Sequence, residues 1–264
     1  MLRSPVPDLH TYYADRFVED DRLHATPYGR LEFERTRELL RRHLPPPSAR
    51  VLDVGGATGV HARWLVEDGY QVHIVDLVPE HVAVARSLPG VTATVGDARE
   101  LAEPDGHADV TLLLGPLYHL VEQADRHRAL EEATRVTAPG GVVAAAAISR
   151  YAALLELGAL DRIDNETEPL LRQVVASGRH DPRLGFTTAY FHHADELADE
   201  MRAAGLHEVR VHGIEGPMVP LLVFLSRETN TDLLPAALRV ARILDDDPAI
   251  IAASSHLLGL ARVG

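Results

Sequence analysis

The chain has 264 residues, 46% of them hydrophobic and 25% charged, which is enough apolar side chain for a packed core. A formal net charge of −13, with no lysine- or arginine-rich stretch to interrupt it, repels phosphate backbones and argues against a nucleic-acid partner. Without cysteine there are no disulfides, zinc-thiolate sites or thiol nucleophiles, and without a signal-like start or a membrane-length apolar run the expectation is a cytoplasmic protein that does not enter a membrane.

Residues 11–42 read as helical, with a break near Thr26-Pro27-Tyr28-Gly29. Pro45-Pro46-Pro47 ends that segment, so 1–47 is expected to stand apart from a core over 48–264. The core alternates strands at 50–54, 71–75, 91–95, 108–114 and 141–148 with helices at 60–68, 79–87 and 123–137. Such alternation predicts a parallel sheet with helices on both faces. Pro139-Gly140-Gly141 reads as the turn before the fifth strand. Residues 149–190 break the rhythm and read as a helical cap inserted there. A helix at 194–204, a strand at 207–212, a helix at 230–245 and a last, antiparallel strand at 255–263 complete the order, while 219–225 fits either strand or helix. Asp245-Asp246-Asp247 reads as a solvated helix end, because three consecutive side chains do not converge on one ion without a special turn.

The most informative stretch is Val51-Leu52-Asp53-Val54-Gly55-Gly56-Ala57-Thr58-Gly59. A buried strand ends in an acid, and a glycine-rich turn opens a helix, as in nucleotide sites. Asp76 ends the next apolar run, 23 positions on, near the roughly 20-residue spacing of a ribose-binding acid. Two acids at adjacent strand ends, with glycines between, suit a nucleoside better than a pyrophosphate. The dinucleotide pattern G-x-G-x-x-G fails in register here.

These residues resemble the class I S-adenosylmethionine-dependent methyltransferases, over about residues 48–148 and weakly beyond. The family's acid-x-Gly-x-Gly-x-Gly motif is kept at Asp53, Gly55 and Gly59, while Ala57 stands at the middle glycine. The resemblance implies a Rossmann-like, seven-stranded, mostly parallel sheet with helices on both faces, an N-terminal helical lid and a helical cap after the fifth strand. It implies S-adenosylmethionine as cofactor, held by Asp53, Gly55, Gly56, Gly59, Asp76, Leu77, Asp97, Ala98 and Leu114. In that scheme Asp53 faces the ammonium, Asp76 the ribose and Asp97 the adenine amino group. The resemblance also implies a small-metabolite substrate, with bacterial secondary metabolism as the natural setting, methylated on oxygen, nitrogen or carbon.

Leu114-Gly115-Pro116-Leu117-Tyr118-His119 lies where the family places the reacting groups, and it lacks the signature of base-amino methyltransferases. His119 is the expected general base, with Tyr13 and His192 as further catalytic candidates. Tyr12, Tyr118, Tyr190 and His193 are expected to touch substrate, Tyr12 and Tyr13 from the lid. His192 and His193 are neighbours on a strand and face opposite sides, so no metal is expected there. A nicotinamide-dependent oxidoreductase, a cofactor-binding regulator without chemistry and a protein methyltransferase stay open as other readings, and the sequence leaves room for a homodimer.

Overall fold

The structure, a computed structural model, describes residues 18–228 and 233–264. Tyr12 and Tyr13 lie outside the described residues. In chain order the elements begin with helices α1 (Val18–Ala25) and α2 (Pro27–His43). The break between them is a helix start: Thr26 caps α2 by accepting from the Gly29 N–H at 3.0 Å, with Pro27 at the first helical position. There follow β1 (Arg50–Val54), α3 (Val60–Glu67), β2 (Gln71–Asp76), α4 (Pro79–Ala85), β3 (Val91–Val95), β4 (Ala108–Leu113), the short α5 (Pro116–His119), α6 (Gln123–Val136) and β5 (Thr137–Ser149). Beyond β5 come α7 (Ala152–Ala159), α8 (Thr167–Ser177), β6 (Arg179–His180), β7 (Ala189–His192), α9 (Ala194–Ala203), β8 (Leu206–Gly213), α10 (Val219–Glu228), α11 (Leu234–Leu244) and β9 (His256–Val263).

Strands β3-β2-β1-β4-β5 lie side by side and parallel, and β9 runs antiparallel along β5 with β8 beyond it. Alternate residues face opposite layers. Val51, Ile74, Leu112 and Ala144 pack against α2, α3 and α4, whereas Leu52, Val75, Leu113 and Val143 pack against α6 and α9. The centre of β5 is an alanine-rich run of buried residues, and such small side chains let helices approach both faces of the sheet closely.

The sheet has nine strands, not seven. The reason lies at the end of β4. Its pairing with β5 stops at Leu113–Ala145, while β5 continues to Ser149 with β9 on its other edge. The edge that β4 leaves is taken by β7, through Ile148–Phe191 and Ser149–His192, and β6 pairs with β7. Two further readings change. Pro139-Gly140-Gly141 is not a turn ahead of β5 but an irregularity within it, where pairing jumps from Ala108–Thr137 to Val110–Val142. Gly140 there adopts φ +76°, and Pro139 has no N–H to give to a ladder. Residues 219–225 are helical, because Val219, Leu222 and Val223 are buried while Leu221 and Phe224 are exposed, the spacing of one helix face.

Residues 150–192 have a small apolar centre of their own around Ala153, Leu157, Leu171, Val174 and Phe191. A buried polar knot fastens them to the sheet. The Arg126 guanidinium donates to Glu200 at 2.7 Å and to the carbonyls of Leu120 and Val121, and lies 3.7 Å from the centre of the Tyr190 ring. His192 adds a 3.2 Å bond to Glu200. Burial pushes the Glu200 carboxyl up, but His192 and Arg126 outweigh it and hold it at about 2. Removing one partner of a buried pair strands the other charge, so Glu200→Ala should cost about 3–5 kcal/mol in denaturant unfolding. The wild-type contribution is complete above the ordinary glutamate range and fades as pH falls toward 2; an unfolding midpoint unchanged by the substitution would contradict this role.

Candidate active site

A cavity of about 440 Å³ opens at the C-terminal ends of the parallel strands, the edge at which open α/β sheets bind ligands. Asp53, Gly55, Gly56, Asp76, Leu77, Asp97, Ala98, Leu114, Tyr118 and His119 all line it. Gly59 does not. It caps α3 at φ +89°, and an added Cβ would lie 2.6 Å from the Leu88 side chain, so its part is packing and backbone geometry.

Asp53 is 1% exposed, and neither carboxylate oxygen has a hydrogen-bond partner among the described residues. Burial, and secondarily the charge of Asp76, pushes its carboxyl up to about 7. Gly56 folds over it so tightly that a Cβ would stand 2.6 Å from one carboxylate oxygen. A buried, unsatisfied acceptor at a cavity wall fits a cationic donor such as an ammonium. Asp76 accepts from the Ala57 and Val78 N–H groups, each at 2.9 Å, with His81 3.3 Å away. Oδ1 takes both the Val78 N–H and His81, while Oδ2, which accepts from Ala57 alone, retains a lone pair for a hydroxyl donor. Asp97 differs from expectation in one respect: Arg99 already forks it, with a shortest distance of 2.6 Å, and this mainly holds its carboxyl low.

Tyr118 and His119 ride on α5, their rings edge to face at 4.6 Å, with Phe186 from the cap 6.0 Å from His119. Burial lowers the His119 imidazole to about 4, against an opposing pull from Asp76. His119 is therefore neutral at physiological pH and a weaker base than an ordinary histidine.

Three expected site residues lie elsewhere. His192 is wholly buried and bonded to Glu200, so it is not placed to act as a base in the cavity. The Tyr190 hydroxyl donates to Glu196, and His193 caps α9 with its ring beside Tyr151. Only His192 lies on β7, with His193 already the helix cap, and neither histidine lines the cavity, since β7 pairs with β5 and β6 at the junction with residues 150–192.

A second polar group in the cavity wall escaped the sequence reading. Arg22 of α1 forks Glu32 of α2 at 2.6 and 2.8 Å. His256, at the start of β9, gives its backbone N–H to Glu215 at 3.0 Å and its Nδ1 proton to the same carboxylate, with Glu32 3.7 Å away. Burial alone would lower the His256 imidazole, but Glu32 and Glu215 raise it to about 9. Burial likewise raises Glu32, and Arg22 followed by His256 brings it down to about 2. Glu32, Glu215 and His256 offer atoms within 4.8 Å of one another, but the Arg22 fork and the imidazole proton already occupy these groups, and we read an ion network. No local motif announces it, because its members are scattered from α1 to β9.

A methyltransferase-domain model matches residues 51–141. An uncharacterized methyltransferase of Mycobacterium tuberculosis is 40% identical over 99 residues, 37% of this chain and 39% of that protein. The chain thus spans about two fifths of the length of that relative. The ubiquinone biosynthesis O-methyltransferase of Burkholderia thailandensis is 30% identical over 204 residues, 75% of this chain and 81% of that one. The chain belongs to the class I S-adenosylmethionine-dependent methyltransferases. The fold agrees: the S-adenosylmethionine-dependent methyltransferase of Mesorhizobium loti superposes with a TM-score of 0.56 at 20% identity, over 86% of this chain and 97% of that one.

Against the family's motif, Ala57 stands out. It adopts φ +48°, a left-handed conformation that glycine takes freely and alanine does not. The strain, about 1–2 kcal/mol, exceeds the roughly 0.4–1 kcal/mol that an added glycine costs through the unfolded chain. Ala57→Gly should therefore raise the melting temperature by a few degrees, and Ala57→Val should lower it; a lower melting point for the glycine variant would show the turn to be unstrained.

Proposed function

We propose that the protein transfers a methyl group from S-adenosylmethionine to a nucleophilic oxygen, nitrogen or carbon of a small metabolite, with bacterial secondary metabolism as the natural setting. The observation that carries the reading is the unsatisfied Asp53 carboxylate beside the Gly55–Gly56 turn and Asp76. The Burkholderia relative, named for ubiquinone biosynthesis, supports a small-molecule acceptor. When bound, the cofactor supplies an already activated sulfonium methyl, so the protein's task is to bind, orient and dry the reacting groups.

Asp53 would hold the ammonium and Asp76 the ribose hydroxyls, with Leu77, Asp97, Ala98 and Leu114 around the adenosine. Because Arg99 already forks Asp97, that acid would contribute one remaining acceptor position and not a free carboxylate. His119 and Tyr118 would face the nucleophile, His119 accepting its proton or hydrogen bond as the neutral imidazole. The described part of the N-terminal segment, residues 18–47, would serve as the lid in this reading, since Leu23, Glu32 and Thr36 form part of the cavity wall.

Two measurements test it. Calorimetry should show S-adenosylhomocysteine binding and no NAD binding, and Asp76→Ala should weaken the former at least tenfold. The pH dependence is specific. Ammonium binding needs the Asp53 carboxylate, which below about pH 7 must first lose a proton. Affinity should therefore fall as pH drops from 7.5 to 5.5, by roughly an order of magnitude or more, and Asp53→Asn should abolish that slope. A flat profile in the wild type would remove the ammonium from Asp53.

His119→Ala should lower kcat by roughly a hundredfold with little change in cofactor affinity. The wild-type acid limb should lie near pH 4, because imidazole protonation has been moved there. A limb near 6.5, or near-normal kcat in the variant, would assign the proton to another group.

A further inference from the structure

We propose that the end of the cavity formed by α1, α2 and the start of β9 is a substrate subsite for an oxygen anion, a carboxylate in the first instance, with His256, held by Glu215, as one donor and His61 as a second. The assignment rests on the methyl-transfer reading for the word substrate, but the anion recognition follows from the residues alone.

Topology separates this end from the cofactor acids. Asp53, Asp76 and Asp97 belong to β1, β2 and the loop after β3, on one half of the sheet edge. His256 pairs with Ile148 near the end of β5, on the other half, and β4 with its Tyr118–His119 segment lies between. A ligand contacting His256 therefore reaches past the α5 segment from the cofactor half.

The chemistry of this end follows from counting donors and acceptors. Both oxygens of Glu32 accept from Arg22. Both oxygens of Glu215 accept from His256, one from the backbone N–H and one from Nδ1. With Nδ1 committed to Glu215 and the ring positively charged, His256 carries a second proton on Nε2. His61 is different but converges on the same result. The Trp64 indole can only donate, and it donates to His61 Nδ1 at 3.2 Å, so the neutral imidazole holds its proton on Nε2. Burial, the leading influence on His61, keeps it neutral. Neither Nε2–H has a hydrogen-bond partner among the described residues, and both rings line the cavity. The acceptors are engaged and the donors are not.

The charged groups facing His256 are Glu215 ahead of α10, Glu32 on α2 and Arg22 on α1, and their balance keeps the ring cationic well above neutrality. Arg22 lines the cavity beside them, with its charge offset by Glu32. Leu23, Val60 and Ile214 supply apolar walls, so the preferred ligand carries its anion on an apolar body.

Benzoate is a suitable probe, with benzylamine as its cationic counterpart. Each is titrated into full-length, nitrogen-15-labelled protein, with and without S-adenosylhomocysteine, while the imidazole nitrogens are followed by NMR. The expected result is saturable benzoate binding that shifts the His256 Nε2 signal, preferred at least tenfold over benzylamine. His256→Asn should weaken benzoate at least tenfold while S-adenosylhomocysteine affinity stays within about twofold. Since the His256 charge is raised to about 9, benzoate affinity should persist from pH 6 to 8 and decline as pH rises through 9. An ordinary histidine would lose it above about 6.5. Stronger binding of benzylamine, equal benzoate binding to wild type and His256→Asn, or displacement of the His256 proton by added manganese would each overturn the subsite. Should His256→Asn not fold, the wild-type titration and pH profile decide alone. Failure of S-adenosylhomocysteine to bind would instead overturn the methyl-transfer reading, and benzoate binding to the unliganded protein would still judge the anion site.

Discussion

A buried carboxylate under the glycine turn, with no hydrogen-bond partner among the described residues, sets the terms for the rest of this structure. Moving the Asp53 carboxyl from 3.8 to about 7 is a penalty of roughly 4 kcal/mol on its charged form. The surrounding fold has to hold that group in place without satisfying it. Asp53 sits inside β1, paired on one side with β2 and on the other with β4, so its backbone cannot swing the side chain toward water. Gly56 closes over it because no Cβ fits there. The Ala57 N–H donates to Asp76 and so ties the turn to the end of β2. Ground-state discomfort of this kind belongs at binding sites, where a ligand relieves it.

The same edge of the sheet explains why so much else converges there. β4 stops early and turns into the Gly115–Pro116 segment, which both opens the cavity and frees the edge of β5 for β7. The cap is thus attached by the backbone ladder at the very point where the cavity wall changes direction. Phe186 from the cap reaches His119, and Arg126 ties the loop after α5 to Glu200 and Tyr190. Displacing residues 150–192 would disturb the Tyr118–His119 segment first, because the two share β5 and the Arg126 knot.

What could be read from the sequence follows from what is local. Asp53, the glycines, Asp76 and the strand–helix alternation are contiguous patterns, and their positions in the sheet follow from periodicity and spacing. The seven longer strands were legible for the same reason. β6 and β7 were not, because two- and four-residue strands exist only where another strand ends and leaves an edge. His192 illustrates the limit for side chains. Its strand position was inferred correctly in kind, but Glu200, eight residues later on α9, takes its ring as a partner. His256 was invisible in the opposite sense: among 15 histidines nothing local distinguishes it. Only the antiparallel return of β9 carries it to the cavity, and only Glu32 and Glu215, distant in sequence, give it its charge.

The two halves of the cavity solve opposite electrostatic problems in a protein with a net charge of −13. On the half formed by β1 and β2, Asp53 has no hydrogen-bond partner among the described residues, which suits a ligand bearing a cation. On the other half, acids are neutralised by Arg22 and His256, so that the remaining hydrogen-bond capacity is donor capacity. An excess of acid alone would draw any cation into both halves. Spending Glu32 and Glu215 on holding a histidine cationic reverses the local preference without adding net positive charge. On the reading proposed above, a site divided in this way would orient a bipolar pair of ligands before any chemistry begins, with positive cofactor groups toward β1 and β2 and a negative substrate group toward β9. That ordering follows from the charge pattern and the strand order together, and neither alone would produce it.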